Sequence, residues 1–217
     1  MVASENRAAR RRGRPPDTDS SDTRTALLNG ARALFGERGY GAVTNKDLAA
    51  AAGVTTGALY HYVESKLDLY IAVHTDMQQQ IYRRFQVAEA SHHTFIGKLE
   101  ATLDAARQMN AEDPTLARFV GTVRADLRRY PEVRARLGET QEERDEFFMG
   151  IVECGVDTGE IGRDDAVLVR EFIRLMMIAL TEGPSDSPEL HRLSIDAIMG
   201  MVRGALVHPP PDRIESG

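Results

Sequence analysis

The sequence predicts an all-α protein in which a small N-terminal three-helix domain precedes a larger helical domain. Apolar residues recur at spacings of three and four from residue 25 to near the end of the chain, as the buried stripe of a helix requires. Serine, threonine, glycine and proline residues interrupt these stretches where helices begin and end. Of the 217 residues, 42% are hydrophobic and 6% are aromatic, which is enough for a helical core.

The first 22 residues are predicted to form a disordered basic arm, because they are polar, lack periodic apolar positions and contain Pro15 and Pro16. Residues 7–14 hold five arginines and no acid. The segment 12–15, Arg-Gly-Arg-Pro, resembles the core of an AT-hook, whose arginines enter the narrow minor groove of A·T-rich DNA. The alternative is a solvated tail that only raises solubility. The candidate minor-groove residues are Arg10, Arg11, Arg12 and Arg14.

A first helix is predicted from about residue 25 to residue 38, with Leu27, Ala31 and Leu34 on one face. It ends at Gly39, because glycine readily adopts the backbone conformation that ends a helix. With the two short helices that follow, this helix makes a domain over residues 23–66.

Three helix-start signals come next. Thr44 and Ser65 are each followed three residues later by aspartate, which is a capping-box pattern. Thr55 caps a short helix predicted from about 56 to 62, and Gly53 allows the sharp turn before it. Two short helices joined by a tight glycine turn form a helix-turn-helix, whose second helix enters the DNA major groove. The alternative is three small helices packed for stability alone.

The outer face of the second short helix is the candidate DNA-reading surface, because Leu59 and Val63 are four apart and face inward. Small residues let its backbone approach the groove, and threonine or histidine hydrogen-bonds base edges. Tyrosine and lysine side chains reach phosphates, and Thr44 offers its hydroxyl and backbone N–H groups at the positive end of a helix. The candidate DNA-binding residues are Thr44, Lys46, Thr55, Thr56, Gly57, Ala58, Tyr60, His61, Tyr62 and Lys66.

This stretch resembles the DNA-binding domain of the TetR family of bacterial transcriptional regulators. Val63 stands where many members of that family have phenylalanine, so the core is slightly smaller there. The resemblance implies an all-helical homodimeric repressor with a small-molecule pocket in its C-terminal domain. The residues that carry it are Ala31, Leu34, Phe35, Gly39, Tyr40, Thr44, Leu48, Ala49, Ala52, Gly53, Val54, Gly57, Leu59, Tyr60, Tyr62, Lys66 and Leu69.

Charge is distributed unevenly along the chain. Residues 1–66 hold ten basic and seven acidic side chains, a net charge of +3. The remainder holds seventeen basic and twenty-six acidic side chains, a net charge of −9, which together give the −6 of the whole chain. A positive DNA-binding part with an acidic body is expected, because the duplex repels the body and thereby orients the binding part.

Residues 67–208 are predicted to form a helical effector-binding and dimerisation domain, and residues 209–217 a flexible tail. Prolines and glycine-containing loops divide this domain into helices. Helices are predicted from 66 to about 90, from 95 to 111, from Pro114 to about residue 127, from Pro131 through Val152, from about 164 to 181, and from 188 to 207.

The last two of these helices are candidates for a dimer interface, as the resemblance implies. Both carry apolar stripes, and small residues on the final helix allow close approach; the alternative is that the stripes are ordinary core. The candidate interface residues are Val169, Phe172, Ile173, Met176, Leu180, Leu193, Ala197, Met201 and Gly204.

A ligand is expected to bind between the helices of the body in a mostly apolar cavity. Apolar lining favours a hydrophobic or amphipathic ligand, and Arg124 or Arg128 could meet an anionic head group. Each candidate has core packing as its alternative role. The candidate pocket residues are Met77, Phe95, Leu103, Phe119, Val123, Phe148, Met176 and Met177.

Other chemistry is not indicated. No histidine or cysteine lies at a zinc-binding spacing, and no P-loop, dinucleotide fingerprint or nucleophile elbow occurs, so we expect no metal, no cofactor and no enzymatic activity. The single cysteine, Cys154, fits a cytoplasmic protein, as a buried thiol or alternatively a redox sensor. The sequence therefore predicts a ligand-responsive repressor without a membrane span; the alternative is a ligand-independent or architectural DNA-binding protein that uses the arginine arm.

Overall fold

The computed structural model describes residues 18–137, 142–182 and 187–204. Helices make up the regular structure of these residues, with one turn of 3₁₀ helix at Arg163–Asp165. The helices are α1 (Thr18–Ala42), α2 (Asn45–Ala51), α3 (Thr56–Leu59), α4 (Lys66–Glu89), α5 (Phe95–Glu112), α6 (Pro114–Arg129), α7 (Pro131–Leu137), α8 (Glu142–Asp157), α9 (Ala166–Glu182) and α10 (Pro188–Val202). The all-α prediction is confirmed.

The N-terminal head consists of α1, α2 and α3. Phe35 and Leu48 are completely buried between these helices, and Leu59 is 1% exposed. The regular part of α1 ends at Gly39, whose φ of 76° and ψ of 165° lie in a region that essentially only glycine occupies. This break turns the chain back, so that α2 packs against α1.

The body begins with α4, which contacts both α1 and the body helix α5. Around it, α5 packs against α6, α8 and α10, and α9 contacts α6, α8 and α10. Pro114 and Pro188 each occupy the first turn of their helix, where proline costs no hydrogen bond. In the described part of the chain, no helix combines the length and apolar character needed to cross a bilayer.

The head and body share one aromatic cluster, formed by Phe35, Tyr40, Tyr70, Phe119 and Tyr130. The Phe35 and Tyr70 rings pack edge to face, with centroids 4.9 Å apart, and Tyr70 lies 5.3 Å from Phe119 in the same manner. Because these side chains come from α1, α4 and α6, the two parts of the molecule have a continuous core.

Besides the end of α3, which is described with the candidate interface, three predicted boundaries differ from the structure. Helix α1 begins at Thr18, within the segment predicted to be disordered. The helix predicted to run from Pro131 through Val152 is two helices, α7 and α8, on either side of residues 138–141. The last helix ends at Val202, because Gly204 has a positive φ of 66° that terminates it. Residues 1–17 and 205–217, which include most of the arm and the tail, lie outside the described residues.

Candidate nucleic-acid interface and ligand cavity

The three predicted helix caps are present. The Thr44 hydroxyl accepts a hydrogen bond of 3.2 Å from the backbone N–H of Asp47, whose carboxylate in turn accepts from the Thr44 backbone N–H at 2.9 Å. These hydrogen bonds from Thr44 lower the pKa of Asp47. Thr55 caps α3 and Ser65 caps α4 through backbone N–H groups three residues on. The capping fixes the start of each helix.

The turn between α2 and α3 has the geometry that its sequence predicts. Gly53 has a φ of +67°, and its N–H donates to the carbonyl oxygen of Ala50 at 3.1 Å. The N–H of Val54 donates to the carbonyl oxygen of Ala49 at 3.0 Å. This pair of bonds is a Schellman motif, which ends α2 and redirects the chain into α3.

Helix α3 is shorter than predicted. Regular helix covers Thr56–Leu59, and the chain then continues as tight turns rather than as α-helix to Tyr62. His61 N–H donates to the carbonyl oxygen of Ala58, and Tyr62 N–H to that of Leu59, which are three-residue spacings. This tightening keeps Tyr62 against the core while leaving His61 exposed.

The outer face of α3 and its flanking caps presents the predicted polar and small residues. Thr44, Lys46, Thr55, Thr56, Gly57 and His61 are exposed, and Tyr60 is 50% exposed. Ala58 and Tyr62 are half-buried at the edge of this face. The Tyr60 hydroxyl accepts a hydrogen bond of 2.7 Å from the side-chain amide of Asn45, which joins α3 to the first turn of α2. The arrangement places nine of the ten candidate DNA-binding residues along one rim of the head.

Lys66 is the tenth candidate, and the structure gives it a different position. Its ammonium donates to the carbonyl oxygens of Tyr40 at 2.9 Å and Val43 at 3.0 Å. It also lies 4.3 Å from the centre of the Tyr40 ring. Burial lowers the pKa of Lys66. These contacts give Lys66 a structural role, in which it holds the segment between α1 and α2 in place, and its contact with a phosphate stays a prediction.

The body contains a cavity of about 530 Å³ between α4, α5, α6, α8, α9 and α10. This volume is typical of pockets for small organic ligands. Four predicted pocket residues line it: Met77, Val123, Phe148 and Met177. The other four do not, because their side chains belong to the packed core: Phe95, Leu103, Phe119 and Met176.

Most of the cavity lining is apolar, but several charged groups are also present. Glu171 pairs with Arg174 at 2.8 Å, and Arg170 lies 3.8 Å from the same carboxylate. Arg124, one of the two arginines considered as an anion contact, lines the cavity, whereas Arg128 is exposed elsewhere on α6. Glu171 thus partly neutralises the positive charge of Arg170 and Arg174 on the same helix.

Three buried polar side chains of the described cavity lining were not predicted: His74, Asn110 and His191. Asn110 is 3% exposed, and among the described residues neither its amide nitrogen nor its amide oxygen has a hydrogen-bond partner. His191 is 5% exposed, its Nδ1 atom has no partner among the same residues, and burial lowers its pKa. The spacing of Asn110, seven residues after Leu103 on the same stripe of α5, is the sequence signal that could have identified it.

Helix α6 connects this cavity to the head. One of its faces lines the cavity with Leu116, Val120 and Val123. The opposite face contacts α1, where the Thr122 hydroxyl donates to the carbonyl oxygen of Gly36 at 2.9 Å. At the N-terminal end of the helix, Asp113 forms an ion pair with the buried Arg32 of α1.

The last two helices expose an apolar face. Leu168, Phe172 and Leu175 occupy one side of α9 at helical spacing, and Leu190, Leu193 and Met201 occupy one side of α10. Each is between 45% and 68% exposed. We call these six residues the α9–α10 apolar face.

The predicted dimer residues divide into two groups. Phe172, Leu193 and Met201 belong to this face, Ala197 and Gly204 are exposed on or beside α10, and Val169 is half-buried. Ile173, Met176 and Leu180 are instead at most 5% exposed and belong to the core, so their assignment to an interface is wrong. Helical spacing identified two helices that do carry exposed apolar residues, but it also included residues that the structure places on the inward side of α9.

The arginine arm and the single cysteine were also singled out in the sequence. The four arm arginines, Arg10, Arg11, Arg12 and Arg14, lie outside the described residues. Cys154 is partly buried, and its thiol lies 3.5 Å from the carbonyl oxygen of His93.

Comparison with known proteins places this architecture among regulators. The family model described as bacterial regulatory proteins, tetR family, matches residues 27–73, which cover most of the head and the start of α4. The HTH-type transcriptional repressor KstR2 of Rhodococcus jostii (strain RHA1) is 31% identical over 165 residues, covering 74% of this chain and 80% of that repressor.

Solved structures share the fold. The ketosteroid transcriptional regulator KstR2 of Mycobacterium tuberculosis superposes with a TM-score of 0.62 at 21% identity, over 82% of this chain and 93% of that one. The transcriptional regulator FadR from Bacillus subtilis, in complex with stearoyl-CoA, superposes with a TM-score of 0.70 at 23% identity, over 85% and 99% of the two chains. The arrangement of head and body is therefore shared with both.

Proposed function

The chain belongs to the TetR family of bacterial regulatory proteins, and we propose that it is a homodimeric repressor whose operator is near-palindromic and is released when a small apolar ligand fills the body cavity. The chain is a DNA-binding transcriptional regulator of the helix-turn-helix type. The observation that carries the proposal is the exposed rim of α3, in which polar and small residues stand on a head whose helices α2 and α3 are both capped.

The proposed DNA contacts divide into two kinds. Thr56, Gly57 and Ala58 stand at the start of α3, and His61 follows in the turn, so these residues are positioned for base edges in the major groove. Thr44, Lys46 and Tyr60 lie around them, where hydroxyl, ammonium and backbone N–H groups suit phosphates. The first kind sets sequence preference, and the second sets affinity.

Dimerisation is proposed through the α9–α10 apolar face. An exposed cluster of six large apolar side chains on adjacent helices is unusual for a monomer, because it costs hydrophobic free energy in water. A two-fold dimer would bury this face against its own copy and would present two heads to successive half-sites of an operator. A single short recognition helix reads few base pairs, so the second head supplies the remaining specificity.

Helix α6 is the proposed route from ligand to DNA. Its cavity face and its α1 face lie on one rigid element, so a ligand that displaces α6 also displaces α1. Release of DNA requires that the ligand bind better to the state in which the two heads are wrongly spaced. The proposed ligand is small and mainly apolar, as the cavity volume and lining suggest. The proposed place of action is the bacterial cytoplasm, where the chromosome lies.

The experiment that tests this function is selection of bound duplexes from a random or genomic DNA pool at near-physiological salt. We expect a near-palindromic motif, whose half-site spacing reports the distance between the two heads. Enrichment of A·T-rich DNA without two-fold symmetry would contradict the repressor proposal and would instead favour an architectural protein that binds through its arginine arm. A double variant that carries Thr56→Ala and His61→Ala, tested in parallel, is expected to select a motif with altered bases in each half-site.

A further inference from the structure

The body cavity contains polar groups that make no hydrogen bond within the part of the chain that the structure describes. Both polar atoms of the Asn110 side chain lack a partner among these residues, although the residue is only 3% exposed. Nearly all buried polar groups in folded proteins are hydrogen-bonded, and a buried group left unpaired is costly. An unpaired amide in a cavity large enough for an organic molecule points to a ligand that pairs with it.

The chemistry of an amide restricts the partner. The Asn110 side chain offers N–H donors and a carbonyl acceptor side by side. A group that only accepts, such as an ester or a carboxylate, satisfies the nitrogen and leaves the oxygen unpaired. A carboxamide or a hydroxyl both donates and accepts, so it can satisfy either atom and can bridge the two.

The charged groups of the described lining are nearly balanced, which also favours a neutral group: the three arginines Arg124, Arg170 and Arg174 occur there with the two acids Asp145 and Glu171. A buried carboxylate would need a cation to compensate its lost hydration. On α9, Glu171 already pairs with Arg174 and lies close to Arg170, which neutralises much of that helix's positive charge. His191 adds no charge near neutral pH, because burial lowers its pKa below the ordinary value for histidine. Its unpaired Nδ1 is a second neutral hydrogen-bonding position in the same cavity.

We propose that the buried part of the effector is a neutral, mainly apolar body carrying a group that both donates and accepts hydrogen bonds, a carboxamide or a hydroxyl, which binds the side-chain amide of Asn110. This inference rests on the proposed function, since it takes the cavity to be the effector site. It adds the chemical class of the effector and the residue that selects it.

The test uses four probes with one ten-carbon chain: decanamide, decan-1-ol, methyl decanoate and sodium decanoate. Their dissociation constants for the full-length protein are measured by equilibrium dialysis with mass-spectrometric detection, without DNA. We expect the amide and the alcohol to bind about tenfold more tightly than the ester and the carboxylate, which corresponds to one buried hydrogen bond made and one not. Equal or tighter binding of decanoate, or no binding by any probe, would overturn the proposal.

Two variants assign the preference to its residue. Asn110→Leu keeps the number and branching of the side-chain heavy atoms and removes the unpaired amide, so it is expected to fold and to reduce the tenfold preference to less than about threefold. Thr102→Val is the matched control, because Thr102 is a fully buried residue of α5 with an unpaired hydroxyl that does not line the cavity. It is expected to keep the preference. A preference that survives in Asn110→Leu, or that is lost equally in Thr102→Val, would contradict the assignment.

Failure of this inference and failure of the proposed function are distinguishable. Dialysis reports on the cavity alone, whereas selection of bound duplexes reports on the heads. A protein that selects a palindromic motif but prefers decanoate remains a repressor with a different class of effector. A protein that prefers decanamide through Asn110 but selects no motif has the cavity chemistry without the proposed regulation.

Discussion

The hydroxyl of Tyr70 donates a hydrogen bond of 2.8 Å to the carboxylate of Asp126, inside the aromatic cluster that joins head and body. The same carboxylate oxygen accepts from the backbone N–H of Tyr40 at 2.9 Å. Asp126 is 5% exposed, so one buried acid on α6 ties α4 to the end of α1. Burial, reinforced by this carboxylate, raises the pKa of Tyr70 far above the ordinary value for tyrosine.

Replacing this acid should destabilise the protein. Asp126→Ala leaves the Tyr40 N–H and the Tyr70 hydroxyl buried without an acceptor, and we expect the free energy of unfolding to fall by about 3 kcal/mol. Urea denaturation followed by circular dichroism measures the change. The control is Asp104→Ala, which removes a half-exposed ion pair with Arg107 and should cost less than about 0.5 kcal/mol. Equal losses in the two variants would contradict a special role for Asp126.

Lys66 and Lys46 should affect DNA binding in different ways. Lys66→Met removes two hydrogen bonds to backbone carbonyl groups and should reduce stability by about 2 kcal/mol, while leaving the salt dependence of DNA binding unchanged. Lys46 is exposed, and Lys46→Ala should lower the slope of log affinity against log salt by about 1 per bound head. Fluorescence anisotropy with the selected duplex at several salt concentrations measures both slopes. A reduced slope in Lys66→Met would restore the phosphate role.

On the exposed rim of α3, some residues should set the affinity for any DNA sequence and others should set the preference for particular bases. Tyr60→Phe removes the hydroxyl that accepts from Asn45, so affinity should fall similarly for every DNA sequence. His61→Ala should instead change base preference at one position of each half-site, by about 1–3 kcal/mol of discrimination. Affinities for a panel of duplexes with single base-pair changes measure the two patterns. A uniform loss in His61→Ala would mean that the reading face has been placed wrongly.

A charge on the α9–α10 apolar face should prevent dimerisation. Leu175 is 56% exposed at the centre of the α9 stripe, and Leu175→Glu would place a carboxylate in a desolvated interface. We expect light scattering after size-exclusion chromatography to give half the mass of the wild-type particle, with loss of operator binding. Val87→Glu is the matched control, because Val87 is 74% exposed on α4 and lies outside this face. A wild-type protein that is already monomeric would contradict the assignment.

The buried imidazole of His191 predicts a dependence of stability on pH. Because burial lowers the pKa of His191 in the folded protein, the unfolded chain binds a proton first as the pH falls below about 6.5. Its contribution to stability is therefore present above that pH and is lost as the pH falls toward the folded pKa. Urea denaturation of wild type and His191→Leu between pH 7.5 and 5 measures this, and the variant should lose less stability. If stability changes equally with pH in the two proteins, His191 has the same pKa in the folded and unfolded states, and the prediction is wrong.

Local signals in the sequence were sufficient to predict where the short helices of the head begin and where the turn between them lies. Thr44, Thr55, Ser65 and Gly53 act through hydrogen bonds and backbone angles within five residues of themselves, so their effects are visible without knowledge of distant contacts. The same is true of most helix boundaries in the body. The shortened α3 was missed because its end is set by packing of Tyr62 against the core, which a cap or a periodicity does not report.

The sequence by itself determined the all-helical fold, the helix-turn-helix and the helices that carry an apolar surface, because caps and periodicity are local properties of the chain. Only the tertiary structure decided which side of each stripe is buried. On α9 it leaves Leu175 exposed and buries Ile173. It also places the Lys66 ammonium against two backbone carbonyl groups and the Asn110 side chain in the lining of a cavity. These outcomes depend on contacts between residues far apart in the sequence, and helical spacing does not specify which partner helix each face will meet.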